Sequence, residues 1–268
     1  MPKDIATLDE AMRLIEILSG RIIFTAEHPM VVLLEEGTHV VRSSWTSSWG
    51  NTSQHTLDIT RSNITFVGSG INKTIIQGCL LFNSGRNGII VKSCTFKAGG
   101  LICDGNKTCV ELLDVSFDHC GLEGLDVGAG ASVTATNCEF SHNHKGVVLK
   151  NRRTKGHFTD CSFHHNRGYG IHACKGAVVD LHGKATKSQN NNGDGLYAED
   201  YGTKINLHAL KLTTISKDNQ HDFNTYKSGK IQEMDEEGSV VQVHRSPTQP
   251  RNLNPLHPDF FNAPIQYM

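Results

Sequence analysis

The chain reads as an all-β protein: a single-stranded right-handed parallel β-helix, a solenoid of about 22–25-residue rungs with an N-terminal capping helix. Three observations lead there. A short phrase recurs, with Lys-Ser-Cys-Thr-Phe ending at Phe96, Asn-Cys-Glu-Phe at Phe140, Asp-Cys-Ser-Phe at Phe163 and a degenerate Asp-Val-Ser-Phe at Phe117, so the phenylalanines step by 21, 23 and 23 residues. A second marker, Gly before an aliphatic residue, keeps the same beat at Gly100-Leu101, Gly124-Leu125, Gly146-Val147, Gly170-Ile171 and Gly195-Leu196. The hydrophobic period is two, not 3.6: along Ser132 to Phe140, Val133 and Ala135 share one side, followed after a one-residue slip by Cys138 and Phe140. Three such short strands make one rung, and rungs stack roughly 4.8 Å apart. Leucine-rich repeats have a similar period, but their Leu-x-x-Leu-x-Leu pattern is absent. Cys94, Cys138 and Cys161, and Phe96, Phe117, Phe140 and Phe163, are therefore expected in inward stacks.

The elements follow in order. Thr7-Leu8-Asp9-Glu10 has the form of a capping box, Leu8, Ala11, Met12, Ile15 and Leu18 make one apolar stripe, and Gly20 is a stop, so residues 7–19 read as an amphipathic helix plugging the first rung. Strands near Ile22–Phe24, Met30–Leu34 and Ile64–Val67 open the coil, with Gly68-Ser69-Gly70 as a turn. The markers fade beyond about residue 210, an acidic stretch runs from Glu233 to Glu237, and a last strand-like run lies near Val240–Val243. Residues 1–245 are read as the β-helix domain. Residues 246–268 hold five of the seven prolines and are read as a tail outside regular structure.

A chain of 268 residues with 37% hydrophobic content can bury a core in one elongated domain. Its net charge of −1 and lack of long basic runs speak against a nucleic-acid partner, and Lys150 to Lys155 reads as a solvated basic loop. No run of 18 apolar residues occurs and Met1-Pro-Lys-Asp leads directly into the capped helix, so no membrane span or signal peptide is expected and the predicted location is intracellular, cytoplasmic. The eight cysteines include no C-x-x-C pair and fall mostly at strand positions, which suits reduced, buried thiols. The sequons at Asn51, Asn63, Asn72 and Asn106 would matter only in a secreted chain.

Aligning rungs on the phenylalanine yields three polar columns. Two places later stand His119, His142 and His165, three imidazoles able to stack or to bind a metal, and the next place gives Cys120, Asn143, Asn166 and Gln189, a structural ladder. No metal ligand is assigned and the cofactor is left open. The second column holds His157, Asp180, Asn206 and, two residues on, His182 and His208; a carboxylate and several imidazoles on one face make His157, Asp180, His182 and His208 the candidate catalytic set. The third column follows the Gly marker, with Asp126, Val148, His172 and Tyr197 flanked by Lys150 and Glu199, and Asp126, Lys150, His172 and Tyr197 form the candidate binding set.

The repeat Cys161-Ser-Phe163-His-His-Asn166 through Gly170-Ile171, the stretch Asn63 to Gly70 through Ile76, and Leu34-Glu-Glu-Gly37-Thr38 resemble the pectin-lyase-like superfamily of right-handed β-helix proteins over about residues 7–210. The resemblance is nearest to its short-repeat right-handed β-helix region modules, which implies partner binding or sugar handling. Its enzymatic motifs do not carry over: Asn-Thr-Asp, Gly-His-Gly and Asp-Pro-His are absent, Arg153-Thr154-Lys155 has the Arg-x-Lys form without the motifs that accompany it, and Asp126, Asp160, Asp180 and Arg167 are not spaced as a pectate-lyase calcium site. The leading expectation is thus a non-catalytic recognition or scaffold module for a protein or glycan. The alternatives are a carbohydrate-active enzyme, a polyuronate lyase or epimerase, working on the His/Asp face, and a structural protein forming an oligomer, for instance a trimer, through the tail.

Overall fold

A computed structural model describes residues 6–83 and 85–246, and the repeat seen in the sequence is the architecture. Each coil contributes three short strands, as in Ser132–Thr136, Glu139–Ser141 and Lys145–Lys150, and each strand pairs in parallel with its equivalent one rung on. The prism so formed has three faces. Sheet 1 runs from Met30–Leu33 through Ser132–Thr136 to Lys230–Met234, sheet 2 from Gly37–Val40 through Glu139–Ser141 to Ser216–Lys217, and sheet 3 from Thr56–Asp58 through Lys145–Lys150 to His221–Tyr226. Sheets 1 and 2 are joined where the strands Ile89–Lys97 and Cys109–Asp118 bend around a corner.

The corners explain the slip in the alternation. Asn137 and Asp160 sit at φ 54° and 52° between sheets 1 and 2, and this left-handed residue turns the chain so that Val133 and Ala135 before it, and Cys138 and Phe140 after it, all point inward. Phe96, Phe117, Phe140 and Phe163 are fully buried and stack with ring centroids 4.9, 5.0 and 5.1 Å apart. Cys94, Cys138 and Cys161 are buried beside them, while Cys109 lies exposed; all eight cysteines are free thiols, and burial pushes Cys79 and Cys94 up to about 12. The Gly marker has a steric cause. A Cβ on Gly100 would stand 2.4 Å from the carbonyl oxygen of Gly124, and one on Gly146 2.6 Å from that of Gly170, so neighbouring rungs close to strand distance here only without a side chain.

The buried Asn ladder is present with one correction. Asn143, Asn166, Asn191 and Asn219 form it, each side-chain amide bonding the rung below, as in Asn166 Nδ2 to the Phe140 carbonyl at 3.1 Å and Asn166 Oδ1 accepting from Asn143 N–H at 3.0 Å. Gln189 does not belong to it but pairs in register with His164, because the rung after Phe163 is longer and Ser188 takes the phenylalanine place.

The first rung is plugged by α1 (Leu8–Ser19), which buries Leu8, Ala11, Met12 and Ile15; Thr7 Oγ1 accepts from Glu10 N–H at 3.2 Å as its cap. Asp9 accepts from the Ser43 N–H at 2.8 Å, and Glu16 holds Arg61 at 2.7 Å. Residues 22–24 are not a strand, contrary to expectation: Ile22 and Ile23 lie exposed in the link after α1, and the first strand is Met30–Leu33. At the far end the coil continues past residue 210, through α2 (Leu212–Ile215) and Lys230–Met234, and Val240–His244 closes sheet 1 as an antiparallel strand. Glu233 points inward there and accepts from Leu212 N–H, Lys211 and His244. The expected tail lies, apart from Ser246, outside the described residues.

Candidate functional site

Because alternate residues of each strand face outward, equivalent positions of successive rungs bring side chains about 4.8 Å apart. On sheet 1 the register aligns His157 with Asp180 and Asp180 with Asn206, and the next outward position aligns Thr159 with His182. All four residues of the catalytic set therefore meet. Asp180 accepts from His208 Nε2 at 2.9 Å and from Asn206 Nδ2 at 2.8 Å, His157 Nδ1 is 3.4 Å from its other oxygen, and the His182 and His208 rings stack at 4.1 Å. Burial pushes the Asp180 carboxyl up, but the hydrogen bonds from Asn206 and His208 and the neighbouring imidazoles together hold it below the usual carboxylate range. Burial and His208 push the His182 imidazole down, so it is neutral at pH 7.

Sheet 3 treats the binding set differently. Asp126 aligns with Val148, Val148 with His172 and His172 with Tyr197, as the column requires. Lys150 Nζ donates to Asp126 Oδ2 at 2.7 Å, and Asp126 Oδ1 is buried without a hydrogen-bond partner. Burial pushes the Asp126 carboxyl up, with Lys150 only partly offsetting it; burial lowers the Lys150 ammonium less than Asp126, Glu123 and Asp104 raise it. Two rungs on, His172 stacks on Tyr197 at 5.0 Å, meets the tilted ring of Tyr169 at 5.2 Å and lies 3.5 Å from Glu199. Tyr197 is only 3% exposed, so it braces His172 rather than presenting its own ring.

The structure adds a wall that the sequence reading did not contain. Between the first strands the chain leaves the coil as an antiparallel hairpin, Trp45–Thr46 against Thr52–Ser53, and Trp45 leans over sheet 3. Beneath it lies a cleft of about 280 Å³ lined by Trp45, Asn83, Ile102, Asp104, Asp126 and Lys150. The signal was present: both tryptophans of the chain, Trp45 and Trp49, fall in one short segment without repeat character. Half of the binding set, Asp126 and Lys150, thus lies in a walled cleft, while the catalytic set lies on another face.

The family model described as "Right handed beta helix region" matches residues 48–210. No curated protein matches the chain. Among solved structures, ORF18 of Geobacillus virus E2 is 12% identical, with a TM-score of 0.46 over 84% of this chain and 57% of its own. The chain thus spans little more than half the length of that viral protein. The A-module of Azotobacter vinelandii mannuronan C-5 epimerase AlgE6 is 9% identical, with a TM-score of 0.26 over 78% of this chain and 86% of its own.

Proposed function

Because the chain belongs to the right-handed β-helix region family, whose fold fixes a scaffold and leaves chemistry to the surface, we propose that it is a non-catalytic recognition module that binds a glycan in the Trp45 cleft. The observation that carries this reading is the pairing of an aromatic wall with the Asp126–Lys150 floor. An indole takes up the apolar face of a sugar ring, and Asp126, whose carboxylate keeps an oxygen without a protein donor, lines the floor as an acceptor for a sugar hydroxyl. Lys150 can donate to a second oxygen. A volume of about 280 Å³ sits at the low end of ligand pockets, about 300 Å³, which suits one ring of a longer glycan.

An array of neutral and uronic oligosaccharides identifies the ligand class, and calorimetry then measures Trp45→Ala and Asp126→Asn. Each substitution is expected to weaken binding by about fivefold or more, since each removes about 1–3 kcal/mol of contact. Unchanged affinity in Trp45→Ala would contradict the assignment.

A second reading has an observation of its own: Asp180 held between two imidazoles, with the neutral His182 alongside, could abstract the C5 proton of a uronate. It predicts an unsaturated, ultraviolet-absorbing product from polyuronates, or proton exchange at C5, lost in Asp180→Asn. Activity of that kind with an unaltered response in Trp45→Ala would move the function from sheet 3 to sheet 1.

A further inference from the structure

The corner between sheets 2 and 3 carries a feature that glycan recognition does not use. His119, His142 and His165 occupy equivalent positions of three successive rungs, all in the left-handed conformation at φ 55°, 55° and 54°. The buried Asn ladder sets their spacing, because the residue after each imidazole is tied to the next rung: Cys120 N–H donates to Asn143 Oδ1 at 2.8 Å, Asn143 N–H to Asn166 Oδ1 at 3.0 Å and Asn166 N–H to Asn191 Oδ1 at 3.1 Å. The His119 and His142 rings stack at 4.7 Å with 9° between planes, and His165 follows at 5.4 Å.

Both imidazoles converge on one carboxylate oxygen. Asp118 Oδ1 lies 2.8 Å from His119 Nδ1 and 3.0 Å from His142 Nδ1. Its other oxygen faces Lys97 Nζ at 3.3 Å, while Oδ1 also accepts from Ser141 Oγ at 3.3 Å, the longest of its three contacts. Among the described residues, Asp118, His119 and His142 are the one set of three metal-ligating groups whose ligand atoms all lie within 4.8 Å of one another. Tetrahedral zinc, with bonds of about 2.0–2.2 Å, needs its ligand atoms about 3.3 Å apart, and the two near-parallel rings must tilt toward each other to aim both Nδ1 lone pairs at one ion. Both rings reach solvent, which leaves room for that tilt, with side chains 66% exposed at His119 and 45% at His142. The Asp180 cluster differs: its two imidazoles approach different carboxylate oxygens, His208 Oδ1 and His157 Oδ2, and Asn206 Nδ2 holds Oδ1 at 2.8 Å.

We propose that Asp118, His119 and His142 form a divalent transition-metal site, taking Zn²⁺, Ni²⁺ or Cu²⁺ through one carboxylate oxygen and two imidazole Nδ1 atoms, with the fourth position open to solvent. Two nitrogens and one oxygen are the donor set these ions prefer over Mg²⁺ or Ca²⁺. Binding requires both imidazoles to present unprotonated Nδ1, which moves any ring proton to Nε2 on the solvent side. The residue order supplies the preorganisation: the ladder fixes the backbone, and the ion replaces the hydrogen bonds that now converge on Asp118.

The test titrates the full chain with Co²⁺ and Zn²⁺, reading the visible absorption of Co²⁺ and the metal content after dialysis. One ion per chain and tetrahedral cobalt bands are expected in the native protein and in His208→Gln. His142→Gln and Asp118→Asn should weaken affinity by about tenfold or more. Nitrogen NMR of the unmutated chain gives a readout free of any folding defect in the variants, and the Nδ1 resonances of His119 and His142 should move on Zn²⁺ addition while those of His157 and His208 stay. Lack of binding at millimolar metal, affinity indifferent to His142→Gln and Asp118→Asn, or shifts confined to His157 and His208 would overturn the proposal.

Discussion

His182 shows how a single outward side chain is tuned by its rung neighbours. Burial is the largest influence and pushes the imidazole down, His208 and His157 push the same way, and the Asp180 carboxylate opposes them without prevailing. The unfolded chain therefore binds a proton at this position at higher pH than the folded chain does. The group leaves stability unchanged above the ordinary histidine value of about 6.5 and costs stability as pH falls from there toward the lower folded value. Asp180 acts in a more acid window. Burial raises its carboxyl, the bonds from Asn206 and His208 and the imidazoles outweigh it, and the resulting stabilisation is lost as pH falls through the depressed folded value. Thermal unfolding between pH 8 and 5 should show His182→Gln losing less stability than the native chain in the part of that range below about 6.5, with the two curves parallel above it. Curves parallel throughout would show that His182 carries no such penalty. The grouping of His157, Asp180, His182 and His208 was legible because the two Asx-Leu-His triplets repeat with the rung. Asp118 was not, since its partner His142 lies 24 residues on and in a different column.

At the scale of elements, what the sequence displayed was whatever each rung must bury in the same place. The phenylalanine stack and the Gly column repeat because one needs a ring at the sheet 2 core and the other has no room for a Cβ. The ladder was assigned correctly at Asn143 and Asn166 and missed at Asn191 and Asn219, since the phenylalanine used for counting gives way to Ser188 and Ser216. Ser188 Oγ instead donates to the Gly195 carbonyl at 2.8 Å, a local bond with no periodic signature. The ladder also predicts a cost. Asn166→Ala leaves the Asn143 N–H and the Phe140 carbonyl without their side-chain partner in a site closed to solvent, at about 1–3 kcal/mol for each buried polar group. Denaturant unfolding should therefore place Asn166→Ala at least about 2 kcal/mol below the native chain, with the exposed Asn192→Ala close to it. Equal midpoints for the two variants would mean that the ladder follows the coil without stabilising it.

On the scale of the whole molecule, the coil is a stack of rungs in contact with their nearest neighbours, and its two ends are where the repeat must stop. α1 was readable from its cap and stripe, and Val240–Val243 from its β-branched run, because both obey local rules. The Trp45 hairpin obeys neither a local period nor the rung, so it surfaced only in three dimensions. Yet it is the element that turns one of three similar faces into a cleft. Among the described residues no helix is long and apolar enough to cross a membrane. The measurement that decides most directly is a crystal structure of the chain soaked with the tightest oligosaccharide from the array. Sugar density is expected against Trp45, with hydroxyls on the Asp126 carboxylate and Lys150 Nζ. Density over His157, Asp180, His182 and His208 with the Trp45 cleft empty would contradict that expectation.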